Sequence, residues 1–100
     1  MLRREAEFAR LRRRGRRIEC KHFWLLAAPV TGRRRSRVGI VTAKAVGTAV
    51  VRNRIRRRVR ALLEAAPPRG FDVIVSARPS AEAATFDELR GDLSAAFSRL

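Results

Sequence analysis

The 100-residue chain holds one cysteine, one histidine and nine acidic residues, and each scarcity closes off a class of protein. A lone Cys20 permits no internal disulfide, so a reducing cytoplasm is the expected compartment. Cys20 and His22 would share a strand face, but two ligands without further Cys or His do not make a metal site. A buried thiol and a surface or RNA-facing imidazole are expected instead. The longest strongly apolar run, Phe23 to Val30, has eight residues and includes Pro29, against the ~20 needed to span a bilayer. Arg3 to Arg17 is charged throughout and offers no apolar segment of a secretory signal. A protein nuclease is disfavoured too: there is no H-E-x-x-H, no second histidine, and the carboxylates are scattered. Asp87, Glu88 and Asp92 do cluster, but in a helix whose first turn favours acids anyway.

What the chain has in excess is arginine, 22 residues against two lysines, for a formal net charge of +15. The charge is lopsided. Residues 1–62 carry 20 Lys or Arg against 3 acids, while residues 63–100 carry 4 against 6. A polyanion is therefore expected to meet the first two-thirds, nucleic acid rather than an anionic membrane, with the last third completing the fold. A length of 100 residues suits one domain, 1–100.

Lys44 to Ala66 reads as one amphipathic helix. Val51, Ile55, Val59, Leu62 and Leu63 fall on one stripe at 100° per residue. Asn53, Arg56, Arg57 and Arg60 point away from it, Arg54 and Arg58 form a row along its flank, and Arg52 lies near the stripe at the first turn. Thr48 is the expected N-cap, and Pro67-Pro68 stops the helix. With no acid before Glu64, like charges three and four apart cost roughly 0.2–0.5 kcal/mol per pair. Phosphates would remove that cost, and the guanidinium fork grips phosphate oxygens two at a time.

Along the chain, Leu2 to Arg14 predicts a short helix ended by Gly15. From Arg16 to Ala28, alternation predicts one bent strand or two short ones. Ile18, Cys20, His22, Trp24 and Leu26 share one face; Phe23, Leu25 and Ala27 share the other. Pro29 to Arg37 is a basic turn-rich loop. Val38 to Ala43 predicts a strand covered on both faces, and Phe71 to Ala77 a second one. Thr85 and Glu88 match a capping box ahead of a helix buried through Phe86, Leu89, Leu93, Phe97 and Leu100. The expected fold is an α/β (α+β) two-layer sandwich in the order α-β-β-β-α-β-α, with the arginine helix inside a β-α-β crossover.

The stretch from Arg37 to Arg60, RVGIVTAKAVGTAVVRNRIRRRVR, strongly resembles the signature of the protein subunit of bacterial ribonuclease P. That family shows R-V-G, a strand ending in lysine, G-x-A-V-x-R-N-R and a basic helix. Phe8, the F-x-L of Phe23 and Leu25, and the A-R-P closing the strand at Pro79 extend the resemblance over nearly the whole chain. It implies a left-handed crossover, contrary to the usual hand. It also implies binding of a catalytic RNA through the R-N-R helix, with Lys44, Arg52, Asn53, Arg54, Arg56, Arg57 and Arg60 as contacts. The 5′ leader of precursor tRNA would lie in a cleft between the sheet and the N-terminal helix, lined by Phe8, Arg12, Trp24 and Leu26. The RNA, with Mg²⁺, would cut the phosphodiester bond, so no catalytic residue and no metal ligand is expected in the protein, and no obligate protein partner.

Three positions depart from the family pattern. Arg12 replaces a cleft aromatic, Leu26 replaces a tyrosine, and Ala45 replaces a second lysine. Trp24 could restore a stacking platform or belong to the core under the N-terminal helix. The competing expectation is a non-catalytic RNA-binding protein of ribosomal type, which would bind RNA without affecting tRNA processing. A DNA-binding protein would share the charge, but nothing marks a dimer reading half-sites.

Overall fold

The computed structural model describes residues 5–30, 32 and 35–100, with the helix backbone alone at residues 5–8. Helix α1 spans Glu5–Arg14, strand β1 Arg16–Glu19, β2 Phe23–Pro29, β3 Val38–Val41, helix α2 Ala49–Ala65, β4 Phe71–Ala77 and helix α3 Phe86–Phe97. The strands form one mixed sheet in the order β1-β2-β4-β3, parallel only between β3 and β4.

The two faces of the sheet differ in size. Phe23, Leu25 and Ala27 of β2 and Val73 and Val75 of β4 project to one side, where Ile55, Val59, Leu62 and Leu63 of α2 and Leu89, Leu93 and Ala96 of α3 close the main core. On the other side, Leu26, Ala28 and Ile74 pack under Leu11 of α1, with Trp24 at the margin. The stripe of α2 is buried as its periodicity predicts. Phe86 of α3 is 39% exposed; as the first residue after the cap it points off the core, and Ala96 takes a buried place instead.

The hand of the crossover follows from one residue. Val73 carries its side chain on the α2 side, while its N–H donates to the Arg37 carbonyl at 3.0 Å, so its amide edge faces β3. For an L-residue viewed from its side-chain side with the chain running upward, N–H and C=O both point right. Hence β3 lies to the right of β4 as seen from α2. The chain steps leftward from β3 through α2 to β4, a left-handed crossover against the usual preference.

Three expectations need correcting. The alternation predicted from Ile18 through Leu26 breaks at residues 20–22, where the Cys20 amide bonds the Phe23 carbonyl and the chain reverses. Ile18 therefore pairs with Leu25 and faces the main core. His22 is buried, not at the surface, with Nδ1 2.9 Å from Ser80 Oγ, while the Cys20 thiol is only half-buried. Burial is the main influence raising the Cys20 pKa above its ordinary value. Finally, β3 is an edge strand with only β4 beside it, and Val41 is 38% exposed.

Local chemistry accounts for the joints. Gly15 ends α1 because its amide bonds the Leu11 carbonyl at 2.7 Å, and a Cβ there would lie 2.2 Å from that oxygen. Lys44–Val46 forms a separate 3₁₀ turn ahead of α2. Gly47 breaks the helix there with φ 153°, where a Cβ would press on Val51. Thr48 then caps α2, its Oγ1 accepting from the Val51 amide at 3.3 Å. The capping box of Thr85 and Glu88 is present in both directions at 3.1 Å. Those bonds, led by the one from the Thr85 amide, hold the Glu88 carboxyl below its ordinary pKa.

Candidate nucleic-acid interface

The basic surface of α2 is graded by exposure. Asn53, Arg57 and Arg60 are exposed, and Arg52, Arg54, Arg56 and Arg58 are partly buried. The flank row serves packing as well as charge. Arg54 donates to the Glu82 carbonyl at 3.5 Å and Arg58 to the Ala84 carbonyl at 3.4 Å, tying α2 to the segment that leads into α3. Arg56 donates to Asn53 Oδ1 at 3.0 Å, which fixes the asparagine side chain on the helix surface. Lys44 is exposed in the 3₁₀ turn just before the helix. The Nε atoms of Arg52 and Arg54 are shielded from solvent and have no hydrogen-bond acceptor.

With so many like charges on one helix, anions should stabilise the native state. Sulfate or phosphate is expected to raise the melting temperature more than chloride at matched ionic strength, because it binds the folded arginine cluster and relieves repulsion. Equal melting temperatures in both salts would remove that explanation.

The second surface is on the α1 side of the sheet. Register places Glu19, Trp24, Ser76 and Val41 in one row across all four strands. The next row, Arg17, Leu26, Ile74 and Gly39, has Leu26 and Ile74 under Leu11. Leu26 is therefore buried beneath α1, not exposed as a residue lining an open cleft would be. Trp24 is half-buried at the edge of this small cluster, on the α1 side of the sheet and not in the main core. Its ring is covered by the Arg17 guanidinium, 4.4 Å from the centroid. Arg12 is exposed in the last turn of α1. The Phe8 side chain lies outside the described residues.

Sequence inspection missed the residue that seats α1. Asp72, on β4 under α1, is fully buried, accepts from Arg10 at 2.6 Å and from the Arg37 amide at 3.0 Å, and has the Arg37 guanidinium 3.7 Å away. A signal existed: an acid inside the apolar run FDVIVSA must be paired if that strand is central.

The carboxylates that cluster at α3 are committed elsewhere. Asp92 accepts from the amides of Lys21 and His22 at 3.1 and 2.9 Å, Glu88 belongs to its cap, and Asp87 pairs with Arg90. Among the described residues no three His, Cys, Asp or Glu side chains converge as metal ligands. Nor, among them, is any helix long and apolar enough to cross a membrane.

An arginine-faced helix on one side of a small sheet, and Trp24 covered by an arginine on the other, define a small basic α/β domain suited to a polyanionic partner such as RNA. The chain belongs to the ribonuclease P family, whose model matches residues 1–100. It is 39% identical over 103 aligned residues to the ribonuclease P protein component of Acidothermus cellulolyticus, covering 99% of this chain and 86% of that one. It is 41% identical to the ribonuclease P protein component of Beutenbergia cavernae, with the same coverage. Among solved structures, the RNase P protein of Thermotoga maritima superposes with a TM-score of 0.87 at 27% identity, over 99% of this chain and 96% of that one. The Staphylococcus aureus RNase P protein gives 0.88 at 25% identity, over 98% and 92%.

Proposed function

We propose that this chain acts as the protein component of ribonuclease P by holding two RNAs on opposite sides of its sheet. The outward face of α2, with Lys44, Arg52, Asn53, Arg54, Arg56, Arg57 and Arg60, docks the catalytic RNA. The cleft beside α1, with Trp24 and Arg12 at its rim, takes the 5′ leader of precursor tRNA. The observation that carries this reading is the separation of the two basic surfaces: α2 turns its stripe to the main core and its arginines to solvent, while Trp24 lies on the other face of the sheet. Removal of the leader is then endonucleolytic hydrolysis supported by the RNA and its Mg²⁺, the protein supplying position and charge. The committed carboxylates fit that division of labour.

The decisive experiment adds the protein to a bacterial ribonuclease P RNA at low Mg²⁺ and follows cleavage of precursor tRNA. Cleavage should depend on the protein; binding without any gain in cleavage would favour a ribosomal-type role. The only tryptophan of the chain reports on the cleft directly. Leader RNA should change Trp24 emission, and Trp24→Ala should weaken leader binding by roughly 1–3 kcal/mol, the worth of a base stacked on an aromatic ring. Unchanged emission at saturation would assign the ring to the small cluster under α1 alone.

A further inference from the structure

Glu19 is the only acid between residues 8 and 63 of a strongly basic stretch, and its position is not that of a solubilising charge. One carboxylate oxygen pairs with Arg17 Nε and the other with an Arg78 terminal nitrogen. Arg78 is held independently, its Nε donating to the Cys20 and Phe23 carbonyls at 3.1 and 3.3 Å. Among the described residues Arg17 has no comparable anchor: it is half-exposed, and apart from Glu19 it rests on the Trp24 ring. Glu19 and Trp24 are direct cross-strand partners, and Arg17 is the diagonal neighbour. The carboxylate thus fixes a guanidinium over the Trp24 ring.

We propose that Glu19 stands in for a leader phosphate, and that Arg17 and Glu19 set the selectivity of the cleft. This rests on the reading that the leader lies in that cleft. When single-stranded RNA enters, a phosphate oxygen replaces the Glu19 carboxylate on Arg17. The guanidinium moves off Trp24 with the phosphate, and a base takes its place on the ring. Stray anions must compete with a carboxylate already in place, whereas a leader offers a phosphate and a stacking base together. A chain short of cleft aromatics gains discrimination from this competition.

The test uses holoenzyme reconstituted with a bacterial ribonuclease P RNA, precursor tRNA and mature tRNA, and the variants Glu19→Gln, Arg17→Gln and both together. Arg17 and Glu19 are each 54% exposed, so the fold should survive, and melting curves check it. Glu19→Gln should tighten precursor tRNA binding about two- to fivefold, the range of a released surface ion pair, and steepen its salt dependence by up to about one unit of log K against log salt. Mature tRNA binding should not change. Arg17→Gln should weaken precursor binding and flatten the slope by about one unit, and Glu19→Gln should add nothing in its presence. A gain that persists without Arg17, or no gain from Glu19→Gln, overturns the proposal. If leader RNA leaves Trp24 emission unchanged in the unmodified protein, the cleft reading itself has failed and the proposal falls with it.

Discussion

An Arg57→Ala/Arg60→Ala double variant should bind the catalytic RNA about a hundredfold more weakly while melting at an unchanged or slightly higher temperature. Both side chains are exposed and lie off the apolar stripe that ends in Leu62 and Leu63. Hydrogen bonds to charged groups contribute about 1.5 kcal/mol or more each, and two lost phosphate contacts should flatten the salt dependence by roughly two units. The helix itself loses like-charge repulsion of about 0.2–0.5 kcal/mol per pair, which is why the melt should not suffer. Arg54→Ala should behave differently, lowering stability as well as affinity, because that side chain also reaches the Glu82 carbonyl. Filter binding at several salt concentrations beside thermal melts separates the two. If the double variant assembles normally and loses only discrimination between precursor and mature tRNA, the two surfaces have been assigned the wrong way round.

The second large effect concerns the buried carboxylate. Arg10→Met should cost about 3 kcal/mol, the low end of what removing one partner of a buried pair costs, since Arg37 stays with Asp72. In a domain of this size, that lowers the melting temperature by roughly 12–24 °C. Combining Arg10→Met with Asp72→Asn should recover part of the loss. The amide oxygen still accepts from the Arg37 N–H, and a buried charge that has lost its nearest cation is removed. Melts in constant phosphate test both variants; a single-variant cost below about 1 kcal/mol would show that the Arg10–Asp72 pair does not seat α1.

How much of this was legible in the sequence depends on the range of the interaction involved. The stripe of α2, its Thr48 cap and the Thr85–Glu88 box are set by residues three and four apart, and the structure has each of them. Strand β4 matches its predicted bounds, Phe71–Ala77, because an apolar run between Gly70 and Arg78-Pro79 has few alternatives. The failures lie where a distant neighbour decides. Alternation could not reveal the reversal at Cys20–His22, stabilised by Asp92 some seventy residues on. Nor could it show that β3 has a neighbour on one side only. In the candidate site, the arginines were legible as a class. Which of them are tied to carbonyls, and that Glu19 holds Arg17 over Trp24, required the fold.

The strand order carries a consequence for synthesis. Strand β4 is the last of the four to be made, yet it lies between β2 and β3. Until Phe71 to Ala77 exist, β3 has no partner, β2 has only β1, and the stripe of α2 has no complete sheet to cover. A chain emerging from the ribosome therefore gains little from folding its N-terminal part first. Closure waits for a parallel pairing that spans the whole crossover, a non-local and slow step. During that wait the arginine-rich segment that becomes α2 is already made, with its apolar stripe still uncovered.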